Sequence, residues 1–580
     1  MRIAGLLAAL VLAKALVLYG HEVPWSAAAL LAYFWQDLAV VTGYAALEFV
    51  LGPVWIGWAL YALIVVYVAV NVPVARVLST PLTLPMLRAA SGPLADSILY
   101  YVTGPNILCF AAVIAVAAVV PISLRSRVGE RRARISVALA ALPLALLGSI
   151  ASARVDAGAL GRNPITALIA TALPRVSQDK SADGDWPSSP FGAMQSEDLT
   201  ALRGGAHGRN VVIVHLESTA ARYLRIYGAH EDPMPNLGAL AAAAIVAESA
   251  YTVYPETVKS LVAVQSSLYP ALDTEAERYE HIAGASLAAQ LAQAGYRTGL
   301  FHSGRFRYLG MANVVRNAGY GTLEDAGDIG GNHESSFGID DTSTARRILS
   351  WIDAQPRERP FYVSYMPIAG HHPYETPESG PFGGEEPIGR YLNALHYSDE
   401  VLGDLVEGLR RRGLFESTLI VILGDHGEAF GQHPANIGHT LFIYDENVRI
   451  PFLIVAPGLI RDSIKLSRVV SVVDTAPTIL DLLGLPAPTN FQGRSLLDPQ
   501  QRMALFCTDY SQGLLGLRDG RWKLIHNLDS GRAQLFDLLT DPDEGHDLSD
   551  LYPALVEAYR SHLLRWSVHQ KHLVSASQRQ

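Results

Sequence analysis

This chain has few cysteines and no excess of basic residues. The first fact argues against a disulfide-rich protein, and the second argues against a general nucleic-acid-binding protein. Only Cys109 and Cys507 occur among 580 residues, so we expect neither a disulfide framework nor a cysteine-based metal site. Acidic residues outnumber basic ones by 55 to 45, which gives a formal net charge of −10. A general nucleic-acid-binding protein would carry a basic surface, so we predict no nucleic-acid partner. The length is too great for one domain.

Long apolar runs, by contrast, fill the first quarter of the chain. A transmembrane helix needs roughly 20 apolar residues, and three runs approach that length. Two further runs are also candidates, although Asp37 and Glu48 interrupt the second of them and leave its boundaries, and whether it contains a re-entrant piece, open. We therefore predict about five membrane spans within residues 1–155, namely Ile3–Leu18, Ala27–Leu51, Trp55–Val72, Ile107–Leu124 and Ile135–Ala151.

The distribution of arginine predicts the orientation of these spans. Loops rich in Lys and Arg stay in the cytoplasm, and five arginines separate the last two spans: Arg125, Arg127, Arg131, Arg132 and Arg134. The last span then runs outward, so residues after Ser152 should lie outside. Residues 156–208 are rich in Pro, Ser, Gly and Asp, and we interpret them as a juxtamembrane linker.

From Asn210 onward, short apolar runs alternate with helical patterns such as Ser286–Ala294 and Asp399–Arg412. Runs of this length bounded by turn residues are typical of buried strands. The alternation predicts an α/β domain with a mostly parallel sheet and helices on both faces. The predicted strands are Val211–Leu216, Thr298–Phe301, Phe361–Met366, Leu419–Leu423 and Pro451–Val455.

Reactive side chains follow these strands, where open α/β sheets bind their ligands. Glu217 follows the first strand, His302 the second, His371 and His372 the third, and Asp425 and His426 the fourth. A surface-loop role would be the ordinary interpretation of each residue alone. The set of Glu217, Asp425 and His426 suits a divalent cation such as Zn, Mn or Mg.

Thr257 stands at or near the start of a predicted helix that extends to Leu268. The unpaired N–H groups of a helix N-terminus stabilise an anionic ester oxygen, which would suit a nucleophile. A plain threonine N-cap is the more common explanation of such a residue. Local sequence alone therefore leaves both interpretations open.

Five segments resemble the sulfatase superfamily in order and spacing, and the Gly-Asp-His-Gly-Glu and Tyr-Asp-Glu-x-x-Arg-x-Pro pieces are specific. Together with the preceding spans, the layout is similar to lipoteichoic acid synthases and lipid A phosphoethanolamine transferases. The segments are Val212–Ser218, Met234–Leu237, Thr257, Gly424–Glu428 and Tyr444–Pro451.

The resemblance implies a role for each matching residue. Glu217, Thr257, Asp425 and His426 would hold one divalent metal ion, Zn or Mn first and Mg or Ca as alternatives, and Thr257 would be the nucleophile. Hydrolytic sulfatases convert a Cys or Ser within a Cys/Ser-x-Pro-x-Arg motif to formylglycine. Here the position is Thr and the Arg is absent, so we do not expect formylglycine. The substrate-binding candidates are His371, His439 and His302, with His433 a weaker one.

The C-terminal region resembles hydrolytic sulfatases instead, in Gly516–Ile525, Gln534–Leu538 and Asp541–Glu544. We therefore expect a sulfatase-like α/β/α catalytic domain over residues 209–500 and a small C-terminal subdomain over 501–580. The resemblance places the protein in the bacterial inner membrane as a multi-pass protein, with its catalytic domain periplasmic or extracellular.

Three functional hypotheses follow. The first is a transferase that moves a phosphoglycerol or phosphoethanolamine group from a membrane phospholipid donor to a glycan or lipid acceptor of the cell envelope. The second is a membrane-tethered phosphodiesterase or sulfuric ester hydrolase. The third is a non-catalytic lipid-sensing protein on a sulfatase fold, which should have lost its metal ligands; Glu217, Thr257, Asp425 and His426 are all present.

Overall fold

A computed structural model of the chain describes residues 2–21, 26–50, 54–90, 98–99, 101–124, 130–152, 154–155, 157–177, 184–192, 196–280, 286–335, 337–354, 356 and 358–576. The chain divides into two compact units. One comprises residues 1–91, 95–174 and 510–512, and the other comprises residues 92–94, 175–509 and 513–580.

The first unit is helical. Among the described residues of this unit, three helices contain stretches long and apolar enough to cross a membrane: Ala27–Glu48, Val54–Leu78 and Gly104–Leu124. The first helix has 17 residues, and the sixth contains a shorter apolar stretch, Ala141–Ser152. The seventh lies in the segment that we interpret as a linker, which is therefore partly helical. The helices are α1 (Arg2–Leu18), α2 (Ala27–Val50), α3 (Val54–Leu78), α4 (Leu84–Ala90), α5 (Gly104–Leu124), α6 (Glu130–Ser152) and α7 (Pro164–Ala172).

The two acidic residues of α2 are paired, which explains how they fit into an apolar helix. The Asp37 carboxylate lies 3.5 Å from Lys14 Nζ and accepts a 2.6 Å hydrogen bond from Asn163 Nδ2. Glu48 forms an ion pair with Arg2. Charged groups within apolar helices are costly unless they are paired in this way. Because α2 is one continuous helix, the sequence interruption does not produce a re-entrant piece.

Contacts at the two ends of α1 define the direction of the chain through this unit. Arg2 Nη1 donates to Val54 O at the start of α3, at 3.1 Å. Lys14 Nζ, three turns further along, donates to Arg162 O at 2.7 Å, after α6 has ended. The chain therefore leaves the unit at the end opposite to the one where α1 begins. Arg131, Arg132 and Arg134 belong to the first turns of α6, whereas Arg125 and Arg127 lie outside the described residues.

The second unit contains the predicted α/β sheet, which confirms the fold class. All five predicted strands form, within one or two residues of their predicted bounds. The nine described strands of the main sheet are β1 (Asn210–Leu216), β2 (Ala244–Tyr251), β3 (Arg297–His302), β4 (Thr322–Glu324), β5 (Phe361–Met366), β6 (Thr418–Gly424), β9 (Arg449–Ile450), β10 (Phe452–Val455) and β11 (Ile464–Ser471), and a separate two-stranded pair is β7 (Ala429–Phe430) with β8 (Ile437–Gly438).

The order across the main sheet is β11-β2-β10-β6-β1-β5-β3-β4, and β9 pairs with β2. Every neighbouring pair is parallel except those made by β10 and β9. β1, β5 and β6 are buried along their whole lengths, as expected for parallel strands covered on both faces. The carboxyl ends of β1, β3, β5 and β6 therefore lie along one edge, which positions the residues that follow them.

Helices cover this sheet and a smaller C-terminal sheet. The second sheet is antiparallel, in the order β12 (Ala504–Thr508), β13 (Leu514–Asp519), β14 (Trp522–Asn527) and β15 (Ala533–Asp537), and the last helix packs on it. The helices are α8 (Pro235–Ala241), α9 (Thr257–Ser266), α10 (Leu287–Gln293), α11 (Met311–Arg316), α12 (Ala326–Ile329), α13 (Asp341–Asp353), α14 (Pro387–Arg411), α15 (Asp445–Val448), α16 (Thr475–Leu483) and α17 (Pro553–Ala576).

Candidate active site

The register of two adjacent strands brings the predicted metal ligands together. β1 and β6 are parallel neighbours in which Leu216 pairs with Gly424, so Glu217 and Asp425 leave the sheet side by side. His426 Nε2 lies 3.7 Å from Glu217 Oε1 and 3.5 Å from Asp425 Oδ2. One donor atom from each of the three residues lies within 4.8 Å of the others.

Local hydrogen bonds orient these side chains as ligands. Asp425 Oδ1 accepts from the backbone N–H groups of Ser218 and His426, at 2.9 and 2.7 Å. Its other oxygen, Oδ2, is buried without a hydrogen-bond partner. The His426 Nδ1–H donates to Gly427 O at 3.0 Å, which leaves the Nε2 lone pair directed at the carboxylates. An orphaned carboxylate oxygen beside an imidazole nitrogen with an available lone pair fits a divalent cation.

The pKa shifts of Glu217 and His426 also fit a bound divalent cation. Burial raises the pKa of Glu217 well above its usual value, and the neighbouring Asp425 carboxylate raises it further. Burial lowers the pKa of His426. A divalent cation would favour the ionised carboxylates and the neutral imidazole, and so would offset both costs.

Thr257 is the first residue of α9, and its hydroxyl faces the same cluster. Thr257 Oγ1 lies 3.3 Å from Glu217 Oε2 and 3.4 Å from His426 Nε2. The N-cap position belongs to Glu256, whose side chain makes no capping bond. The capping interpretation is therefore wrong for Thr257, and its hydroxyl is placed between the predicted ligands at a helix N-terminus.

His439 lies directly beside this cluster. Its ring stacks on that of His426 with centroids 4.2 Å apart, and its Nδ1–H donates to Glu428 Oε2 at 2.6 Å. Burial by itself would lower the pKa of His439, but the Glu428 carboxylate outweighs burial and raises it. Sequence reasoning did not single out Glu428, although it closes the same Gly-Asp-His-Gly-Glu motif.

His371 forms the next wall of the site. Its ring stacks on Phe337 at 3.7 Å between centroids, and its centroid lies 6.2 Å from that of His439. Burial lowers the pKa of His371 to about 3, so the ring is neutral near neutral pH. Phe337 was not predicted, because nothing in its local sequence separates it from an ordinary loop aromatic.

The hydrogen bonds of His302 and His433 go to residues outside the cluster of Glu217, Asp425 and His426. His302 donates from Nδ1 to Met366 O at 3.1 Å and stacks with Phe306, and burial lowers its pKa to about 4. This is a packing arrangement at the end of β3. His433 donates to Glu446 Oε1 at 2.7 Å and stacks on Tyr444 with centroids 3.7 Å apart.

His433, Glu446 and Glu544 form a second group in which donor atoms lie within 4.8 Å of one another. Most donor atoms here already have partners, although Glu446 Oε2 has no hydrogen bond and lies 3.7 Å from Arg222 Nη1. Glu544 receives Lys523 Nζ at 2.7 Å and Asp445 N at 2.6 Å, and Glu446 Oε1 also accepts from Asn436 at 2.8 Å. The positive charges of Lys523 and Arg222 already face Glu544 and Glu446, so we interpret this group as structural.

Sequence comparisons relate this chain to sulfatases and to a lipoteichoic acid synthase-like protein. A family model described as Sulfatase matches residues 209–485, and one described as N-sulphoglucosamine sulphohydrolase, C-terminal, matches residues 439–564. Arylsulfatase K of Bos taurus is 28% identical over 38% of this chain and 45% of its own length. The lipoteichoic acid synthase-like YvgJ of Bacillus subtilis is 27% identical over 51% of this chain and 50% of its own. The chain thus spans about half the length of these relatives, or less.

Solved structures share the fold. A protein in the alkaline phosphatase superfamily from Vibrio parahaemolyticus superposes with a TM-score of 0.51 at 19% identity, over 70% of this chain and 98% of that one. The Sulfatase model spans all four residues of the cluster, Glu217, Thr257, Asp425 and His426. Residues 209–485, just under half of the chain, match the Sulfatase model, and these comparisons support the assignment of the α/β unit to the sulfatase/alkaline phosphatase superfamily.

Proposed function

We propose that this membrane-anchored protein is a metal-dependent phosphotransferase with Thr257 as its nucleophile. It would transfer a phosphoglycerol or phosphoethanolamine group from a membrane phospholipid to a glycan or lipid of the cell envelope. The observation that carries the proposal is the Thr257 hydroxyl, 3.3 Å from Glu217 and 3.4 Å from His426, in the position where hydrolytic sulfatases need a Cys or Ser for formylglycine.

Glu217, Asp425, His426 and the Thr257 oxygen would hold the cation. A divalent cation bound there supplies charge stabilisation for the phosphoryl oxygens and lowers the pKa of a nearby hydroxyl. The remaining charge stabilisation comes from the protein itself. The N–H groups at the start of α9 stabilise negative charge on the ester formed at Thr257.

The reaction then has two balanced halves. Thr257, its hydroxyl proton lost to solvent, attacks phosphorus; the Oγ–P bond forms and the bond to the lipid alcohol breaks, and that alcohol takes a proton from His439. In the second half the acceptor hydroxyl gives its proton to His439 and attacks the phosphothreonine, the Oγ–P bond breaks, and the Thr257 oxygen takes a proton back from solvent. Splitting the transfer in this way replaces one difficult step with two easier ones.

The anchoring helices support a lipid donor. Three apolar helices of spanning length hold the chain to a membrane, where phospholipid headgroups are concentrated at the surface. We propose a multi-pass protein of the bacterial inner membrane with its α/β unit outside. The positive-inside rule puts the end that carries Arg2 in the cytoplasm, and the exit of the chain at the opposite end of the helical unit supports this orientation.

A second candidate function is hydrolysis, with water as the acceptor. The match of residues 439–564 to the C-terminal region of a sulphohydrolase family, and the similarity to arylsulfatase K, favour it. Both candidate reactions pass through a covalent ester on Thr257, either phosphothreonine or sulfothreonine. They differ in the acceptor that removes the group from Thr257, which is a cell-envelope glycan or lipid in the transferase and water in the hydrolase.

Intact-mass analysis of the full-length protein in detergent tests the proposal. After incubation with defined phospholipids and Mn or Zn, the chain should gain the mass of one headgroup phosphate, and peptide mapping should place it on Thr257. Release of that group to water alone, at the rate at which it forms, would favour the hydrolase. A protein that never gains mass with any lipid or any aryl phosphodiester contradicts the proposal.

A further inference from the structure

A chain of buried hydrogen bonds leads from the catalytic-site imidazole His439 into the core. The His439 Nδ1–H donates to Glu428 Oε2 at 2.6 Å, and the Tyr374 hydroxyl donates to Glu428 Oε1 at 2.6 Å. Glu428 is 1% exposed and Tyr374 is 5% exposed. Both carboxylate oxygens are therefore held, and the carboxylate has little freedom to rotate.

This arrangement determines which edge of the imidazole faces the reaction. Because Nδ1 is bonded to Glu428, Nε2 is the nitrogen that remains for a substrate. The side chain of His439 is 19% exposed and that of Glu428 only 2%. The ring also lies against His426, whose Nε2 is 3.4 Å from Thr257 Oγ1.

We infer that Glu428, held by Tyr374, is a positioning residue that fixes the tautomer and orientation of His439, so that Nε2 exchanges a proton with the leaving and attacking oxygens. This inference rests on the proposed function. Carboxylates that hold a catalytic imidazole by Nδ1 act in this way in other enzymes, and a general acid or base contributes about 10²- to 10⁴-fold in rate.

The chain contains a matched control. His433 Nδ1 donates to the buried Glu446 at 2.7 Å, which reproduces the His–Glu pair outside the cluster that contains Thr257. Substitution of Glu446 removes a buried carboxylate of the same kind and should destabilise the fold to a similar degree. It should not alter proton transfer to a leaving group.

Leaving-group dependence separates positioning from mere stability. Two aryl phosphodiester probes, one losing 4-nitrophenolate and one losing phenolate, are compared with the full-length metal-loaded protein. Phenolate needs protonation more than 4-nitrophenolate does. Glu428→Ala should therefore lower kcat by about 10²-fold or more for the phenyl probe, and by much less for the nitrophenyl probe, with little change in KM. The difference between the two probes in the loss of kcat should be intermediate for Glu428→Gln and smaller for Tyr374→Phe. Glu446→Ala should lower kcat equally for both probes, if it lowers it at all.

Equal losses for both probes in Glu428→Ala would overturn the inference. If that variant does not fold, as judged by its melting temperature and bound metal, the isosteric Glu428→Gln decides by the same comparison. Failure of the proposed function is distinguishable, because the wild-type protein would then form no covalent adduct on Thr257 with either probe.

Discussion

Replacement of Thr257 by alanine tests the nucleophile most directly. The change removes one hydroxyl and one methyl group. The hydroxyl makes two long contacts, 3.3 Å to Glu217 and 3.4 Å to His426, and Glu217 keeps its 2.9 Å bond from Ser218. A hydrogen bond to a charged group contributes about 1.5–3 kcal/mol at good geometry, so we expect a loss of about 1 kcal/mol in the free energy of unfolding.

The expected loss of activity is far larger. Removal of a member of a catalytic triad lowers kcat by about 10⁴-fold or more. On that scale Thr257→Ala should raise the activation free energy by about 5.5 kcal/mol, several times its effect on stability. Thr257→Ser keeps the hydroxyl and should retain part of the turnover and the covalent adduct.

The assay combines turnover of an aryl phosphodiester, intact mass after incubation with lipid, and melting temperature. Thr252→Ala is the matched control, because Thr252 is buried in the same turn and its hydroxyl makes similarly long contacts, 3.3 Å to Tyr254 O and 3.2 Å to Ser260 Oγ. It should melt lower and still form the adduct. A Thr257→Ala protein that turns over and is labelled like the wild type would refute the assignment.

Three further predictions concern the metal, pH and topology. Asp425→Asn keeps the size of the side chain but weakens the ligand, so bound metal measured by mass spectrometry should fall together with activity; full metal content and full rate in this variant would exclude the site. Burial by itself would raise the pKa of Asp509, but Lys259 and Tyr254 lower it, so its contribution to stability is present at neutral pH and is lost as pH falls below the unfolded value of about 4. Asp509→Asn should therefore reduce the drop in melting temperature between about pH 6 and about pH 3, and an unchanged drop would contradict this. A reporter fused after Ser152 should be active only outside the cytoplasm, and cytoplasmic activity would reverse the orientation.

Some features of the protein follow from its sequence because they depend on local pattern. β1, β5 and β6 are short buried apolar runs, and burial on both faces imposes such a run on a central parallel strand. Glu217, Asp425 and His426 could be predicted as one cluster, since the carboxyl ends of parallel strands meet at one edge. β2 was missed because Glu248 is exposed within it and the strand does not read as an apolar run.

Other features were decided by the tertiary structure, because they join residues distant along the chain. The sequence could not tell whether the Thr257 hydroxyl caps its own helix or faces Glu217, 40 residues earlier, since the two arrangements differ only in how β1 and α9 pack. His433 and His439 lie in the same short segment with similar neighbours, yet the fold directs one to Glu446 and the other against His426. Asp37, which interrupts an apolar run, is compatible with a single helix only because folding places Lys14 and Asn163 against it. Local sequence determined which groups were available, and long-range packing determined their partners.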